Sequence, residues 1–164
     1  MRKACAVTRA LQPTGGKQIL TVTKSDLSPV TVADFAAQAL VLDHLNKSFQ
    51  SSANTDENSF VAEETSQDLQ NDPELASLVL NVTDMENIEH VMDSIDLGKQ
   101  YLAWDDDKNP RPHRVWCLDP IDGTKGFLRG KLPGGQYAVG LALIEVRRGN
   151  HGLGRMLIKY VTLP

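Results

Sequence analysis

Two carboxylates three positions apart, Asp119 and Asp122, close an apolar run from Val115 to Leu118 and are separated by a rigid Pro120-Ile121 step. Gly123 follows, where the chain can turn sharply, and then Thr124, where a helix can begin. A strand ending in two such acids can direct both at one hard cation, since Mg²⁺ takes oxygen ligands and keeps waters for a substrate phosphate. The N–H groups of the following turn face the same point, and a helix start attracts phosphate. Carboxylates for a cation beside a cradle for phosphate suit metal-assisted phosphoryl hydrolysis. Asp-Pro and Asp-Gly are also ordinary turn formers, so the two pairs alone predict no more than a β-turn.

Positioning these groups requires a buried strand over the apolar run and something for it to pack on. Phe35, Ala39, Leu42, Leu45 and Phe49 recur at three- and four-residue steps, which predicts one buried face of a long helix. Thr31 fits its N-cap, and Asp34 fits the first turn as the acid of a capping box. Ala4, Val7 and Leu11 predict a first helix stopped by Pro13, and Gln18 to Thr23 has strand-like residues. Phe60-Val61-Ala62 reads as a short strand ending at Glu63-Glu64, a pair that by itself is most simply a solvated surface. Pro73 to Val82 predicts a short helix, and Met85, Ile88, Val91, Met92 and Ile95 a second one with Gly98 as its C-cap. Asp105-Asp106-Asp107 reads as a solvated loop, and Gln136 to Glu145 as an apolar strand.

The composition narrows the classes. A chain of 164 residues with 41% hydrophobic and 23% charged residues has the makings of one globular domain with a real core. A net charge of −4 argues against a nucleic-acid surface, and no apolar run reaches the roughly 18 residues of a membrane helix. Cys5 and Cys117 suggest neither a disulfide framework nor zinc, so a cytoplasmic, reducing compartment is expected. Residues 1–25 carry Arg2, Lys3, Arg9, Lys17 and Lys24 and no acid, a composition shared with organelle-targeting peptides; a helix with a basic face is the simpler reading. His44, His90, His113 and His151 share no metal-ligand spacing, and no Ser-His-Asp arrangement is visible.

Taken whole, Asp119-Pro120-Ile121-Asp122-Gly123-Thr124 resembles the D-P-[IL]-D-G-T signature of the Mg²⁺-dependent, Li⁺-sensitive phosphatase superfamily that includes the inositol monophosphatases. Its continuation through Lys125-Gly126-Phe127-Leu128-Arg129-Gly130 resembles the 3′(2′),5′-bisphosphate nucleotidase branch. Residues 28–38 are similar to that family's S-P-V-T-x-x-D-x-x-[AS]-Q, Ala62-Glu63-Glu64 to its [GA]-E-E element, and residues 136–145 to the strand after the signature. The resemblance implies an α+β chain forming the N-terminal portion of a layered αβαβα sandwich, with the second half and its W-D-x-A-A-G-like motif absent. The expected divisions are a phosphatase domain over 1–145, elaborated at 66–110, and a divergent tail over 146–164. Relative to the family, Lys131-Leu132-Pro133-Gly134 reads as an inserted loop.

For the site, the resemblance implies Mg²⁺ held by Glu63, Asp119, Asp122 and the backbone carbonyl of Ile121, with Glu64 in support. It implies Thr124 and Asp34 as the pair that activates the attacking water, and the N–H groups of Gly123 and Thr124 as partners of the phosphate. The implied reaction removes the 3′-phosphate of 3′-phosphoadenosine 5′-phosphate, a by-product of sulfate transfer, giving AMP. Phosphatase action on an inositol phosphate is the first alternative. A shortened, non-catalytic relative that binds Mg²⁺ weakly or pairs with a full-length partner is the second, and an exposed strand edge also offers a route to self-association.

Overall fold

The computed structural model describes residues 2–14, 21–23, 29–50, 58–100, 114–130, 132–147 and 155–163. In chain order these form α1 (Arg2–Leu11), a small antiparallel pair β1 (Thr21–Thr23) and β2 (Pro29–Thr31), and the long helix α2 (Val32–Gln50). There follow β3 (Asn58–Ala62), three helices α3 (Gln67–Asn71), α4 (Pro73–Thr83) and α5 (Ile88–Asp96), and a 3₁₀ turn at Leu97–Lys99. The chain then supplies β4 (Arg114–Asp122), the short helix α6 (Thr124–Leu128), β5 (Ala138–Arg147) and β6 (Arg155–Leu163). The main sheet has the order β3-β4-β5-β6, with β3 parallel to β4 and the other neighbours antiparallel. This is the expected α+β class. Asp105 to Asp107, His113 and His151 lie outside the described residues.

The start of α2 is set by a reciprocal cap. The Thr31 hydroxyl accepts the Ala33 N–H at 3.1 Å, while Asp34 Oδ2 accepts the Thr31 N–H at 2.9 Å and its hydroxyl at 2.6 Å. Two otherwise orphaned groups at the helix entrance are thereby satisfied. The expected single apolar stripe on this helix proves too narrow. Every residue from Val32 to Ala39 is buried, because α2 is covered on two sides. Phe35, Ala36 and Ala39 pack with Leu75 and Val79 of α4 and Val91 and Ile95 of α5. Ala37, Val41, Leu42 and Leu45 pack with Phe60, Leu118, Val139 and Leu141 of the sheet. Burying a side chain such as Leu42 contributes about 1.5–3 kcal/mol, and the helix's alanines let both layers approach closely. Phe49 is only partly buried, and its ring stacks on Trp116 at 5.6 Å.

The helical elaboration is locally well specified. Pro73 opens α4, and Asp72 Oδ1 accepts the N–H groups of Glu74 and Leu75 at 3.1 and 3.0 Å. Asn87 caps α5 by accepting the His90 N–H at 2.8 Å. Gly98 is not the C-cap expected of it: α5 runs through Leu97 into the 3₁₀ turn, with Gly98 buried inside that turn. Residues 155–163, read from sequence as part of a divergent tail, pair with β5 from Val139 to Arg147. No described helix is long and apolar enough to cross a membrane.

Candidate active site

Alternation along β3, β4 and β5 assigns side chains to two faces of the sheet. Phe60, Leu118 and Leu141 belong to the core beneath α2. The intervening positions Val61, Cys117 and Ala142, aligned across β3, β4 and β5, floor a cleft of about 500 Å³. Glu63, Asp119 and Asp122 line the same cleft. Burial pushes the Cys117 thiol above its usual value, so it stays protonated and adds apolar floor, not a nucleophile. The chemistry of the cleft therefore rests on its carboxylates.

In a regular strand, residues three apart point to opposite faces. Asp119 and Asp122 avoid this because the ladder is irregular between them: Asp119 pairs with Gly140, and Asp122 with Ala138. Three steps on β4 thus match two on β5. The one extra residue is a bulge, and it returns the second carboxylate to the side of the first. Pro120 suits this place, since a bulge tolerates a residue that cannot donate to the ladder.

Past the bulge the chain turns at Gly123, whose φ of 88° is left-handed and disfavours any side chain. Thr124 then begins α6, and its hydroxyl donates to the Ile121 carbonyl at 3.2 Å. That carbonyl has a second lone pair, so this bond does not block it as a donor to a cation. The elbow is anchored from behind. Ile121 and Phe127 are buried with Ala33 of α2, and Tyr137 meets Phe127 edge-on at 5.0 Å. A side chain at Gly126 would come within 1.9 Å of the Gln136 carbonyl, so α6 lies directly on the approach to β5.

Asp34, next to Ala33 in α2, is buried. Asp34 Oδ2 serves the Thr31 cap. The structural role anticipated for this acid is therefore real. Glu63 is exposed at the cleft, whereas Glu64 is buried, with both its N–H and its carbonyl engaged by the side chain of Gln38. Among the described residues, no three His, Cys, Asp or Glu side chains are drawn together tightly enough to hold a metal ion. Glu63, Asp119 and Asp122 share a cleft, not a closed coordination shell.

Gln38 had no assigned role in the sequence. Its signals are its place as the last residue of the S-P-V-T-x-x-D-x-x-[AS]-Q stretch and a long polar side chain within an apolar helix segment. Asp43 and His90 were missed as well. They join α2 to α5 at 2.8 Å, beside a second cleft between α1 and the α4–α5 connection.

Comparison with known proteins adds the following. Residues 3–156 match the model of the inositol monophosphatase family. The chain is 39% identical over 141 residues to a 3′(2′),5′-bisphosphate nucleotidase of Emericella nidulans, a match covering 76% of this chain and 35% of that protein. It is 37% identical over 153 residues to a protein of the same name from Dictyostelium discoideum, covering 88% of this chain and 41% of the other. With one from Oryza sativa it shares 42% over 129 residues, covering 74% and 34%. The matches thus span 34–41% of the length of these curated relatives.

Proposed function

This chain belongs to the inositol monophosphatase family, and from that premise we propose that it carries the carboxylate site of a Mg²⁺-dependent phosphomonoester hydrolase. The substrate we assign is 3′-phosphoadenosine 5′-phosphate, converted to AMP and phosphate. The similar proteins named 3′(2′),5′-bisphosphate nucleotidase support that choice. The observation that carries the reading is the bulge between Asp119 and Asp122, which puts both acids at the cleft that Glu63 also lines.

The donor set fits the cation. Glu63, Asp119 and Asp122, which line the cleft, offer only hard oxygen atoms, as Mg²⁺ prefers, and we assign the Ile121 carbonyl to the same set. A divalent cation held by these groups supplies polarisation of the phosphoryl oxygens and acidification of the attacking water.

The chain's own residues orient the reaction. We assign the Thr124 hydroxyl as a relay that takes the proton of the attacking water while passing its own proton on to the Asp34 carboxylate. The N–H groups of Gly123 and Thr124 are assigned to the phosphoryl oxygens, where negative charge grows in the transition state. Water forms a bond to phosphorus as the bond from phosphorus to the 3′-oxygen breaks, and the leaving oxygen takes up a proton. Physiologically the reaction clears a by-product of sulfate transfer.

The test is phosphate release by the purified chain from 3′-phosphoadenosine 5′-phosphate with Mg²⁺, with and without Li⁺, beside an Asp122→Ala control and an inositol phosphate. Release from the nucleotide that Li⁺ and the mutation both abolish is the expected result. Preferential release from the inositol phosphate would overturn the substrate assignment. No release from a folded chain would overturn autonomous catalysis by these 164 residues.

A further inference from the structure

Glu63 is the one proposed cation ligand that lies beyond the end of a strand, since β3 stops at Ala62. Its placement depends on whatever holds the segment that follows. Among the described residues, the side chains of Gln38 and Asp96 bond to this segment, and neither lines the cleft.

Gln38 is fully buried in α2, and its amide is used on three sides. Its Oε1 accepts the Glu64 N–H at 2.9 Å, and its Nε2 donates to the Glu64 carbonyl at 2.7 Å and to the Ile95 carbonyl at 2.9 Å. One residue of the segment is thus gripped by both backbone groups, as a neighbouring strand would grip it. The bond to Ile95 ties that grip to the end of α5. Asp96 secures the segment two residues later, where Oδ1 accepts the Ser66 N–H at 2.9 Å and Oδ2 the Ser66 hydroxyl at 2.7 Å. Lys99 stands 2.9 Å from Asp96 Oδ1. The turn can come this close because Gly98 has no side chain: a Cβ there would lie 2.7 Å from that of Ala62 and 3.2 Å from Gln38 Nε2.

We propose that Gln38 and Asp96 are positioning residues for Glu63, which fix the backbone at Glu64 and at Ser66 and so aim the Glu63 carboxylate at Asp119 and Asp122. The inference rests on Glu63 being a cation ligand. The α3–α5 elaboration then acts as the brace of the site, because its end supplies both Asp96 and the Ile95 carbonyl. Outer partners that orient metal ligands typically govern affinity by about 10–100-fold.

The test is Mn²⁺ binding to the full chain, read from the free-ion electron paramagnetic resonance signal, together with circular dichroism and exchange of the Glu64 amide proton. The variants are Glu63→Gln, Gln38→Met, Asp96→Ala and Asp96→Asn. Gln38→Met keeps length and volume while losing all three bonds. Asp96→Asn keeps one acceptor for Ser66 and serves as the conservative rescue. The expected result is Mn²⁺ affinity about ten-fold weaker in Gln38→Met and Asp96→Ala, faster Glu64 exchange in Gln38→Met, and substantial recovery in Asp96→Asn. Folded Gln38→Met and Asp96→Ala chains that bind as tightly as wild type, while Glu63→Gln does not, would overturn the positioning role alone. A wild-type chain that binds no Mn²⁺, or a Glu63→Gln chain that binds like wild type, would overturn the ligand reading and the inference with it. Should Gln38→Met unfold, Asp96→Ala decides, since the Asp96 side chain is 38% exposed at the periphery.

Discussion

Asp119 faces Gly140 directly across the β4–β5 ladder, and the missing side chain at Gly140 leaves the cleft open beside the carboxylate. A Cβ at residue 140 would sit 3.7 Å from that of Asp119, an ordinary contact, so alanine fits while anything longer must enter the cleft. We expect Gly140→Ala to leave stability within about 0.5–1 kcal/mol of wild type, with the lost backbone freedom of the unfolded chain offsetting the new contact. Gly140→Leu should fold yet weaken Mn²⁺ binding strongly. Denaturant melts and cation titration of the pair check this, and a Gly140→Leu chain with wild-type affinity would show that the cleft is not the cation site.

Asp34 has two proposed duties that substitution can separate. Asp34→Ala strips the cap from α2 and leaves the buried Thr31 N–H and hydroxyl without that acceptor. The expected loss is about 2 kcal/mol in a urea melt. Asp34→Asn keeps an acceptor for Thr31 and should cost less than half as much. If Asp34 also takes the proton that Thr124 passes on, Asp34→Asn should still lose most phosphate release despite its near-normal stability. Stability and activity falling in parallel across the two variants would reduce Asp34 to its cap.

Phe127 holds the elbow against Ala33 and is fully buried. Truncation to alanine should cost about 3–5 kcal/mol, as for other large core aromatics. Phe127→Leu should retain most of that stability while losing the edge-on contact with Tyr137. Thermal melts of the two variants check the ranking. Equal melting temperatures would mean that the elbow is not anchored through this ring.

The Asp43 cluster should make acid stability depend on α2. Burial alone would raise the Asp43 carboxyl, but hydrogen bonds from Lys47 and His90, with their charges, outweigh it and hold the group below the ordinary 3.8. A depressed folded value means stability that is complete above the unfolded value and is lost as pH falls through the folded one. Asp96 behaves likewise: its bonds with Lys99 and Ser66 overcome the opposing effect of burial. Melting temperature should therefore drop as pH is lowered below about 4, and Asp43→Asn should flatten that slope. A slope unchanged by the substitution would show that Asp43 makes no net contribution.

What was legible in the sequence was what neighbours along the chain decide for themselves. Thr31 and Asp34 form their cap across three residues, Gly123 turns because it lacks a side chain, and Thr124 starts a helix where expected. The apolar run before Asp119 is a strand because its residues suit one. The burial of α2 on both sides was not legible, because periodicity reports one stripe and cannot announce a second layer packing on the alanines between. The cap expected at Gly98 failed for a related reason, since that glycine answers to Ala62 of another element. Gln38 closes a stretch that resembles the family, but its role was not legible because its partners lie 26 and 57 positions away, where no local spacing can point to them. The side on which Asp122 emerges depends on pairing with β5: a bulge is a mismatch between two strands, and only tertiary structure can decide it. The sequence by itself determined which oxygen-bearing groups this protein has, and the sheet decided that they meet.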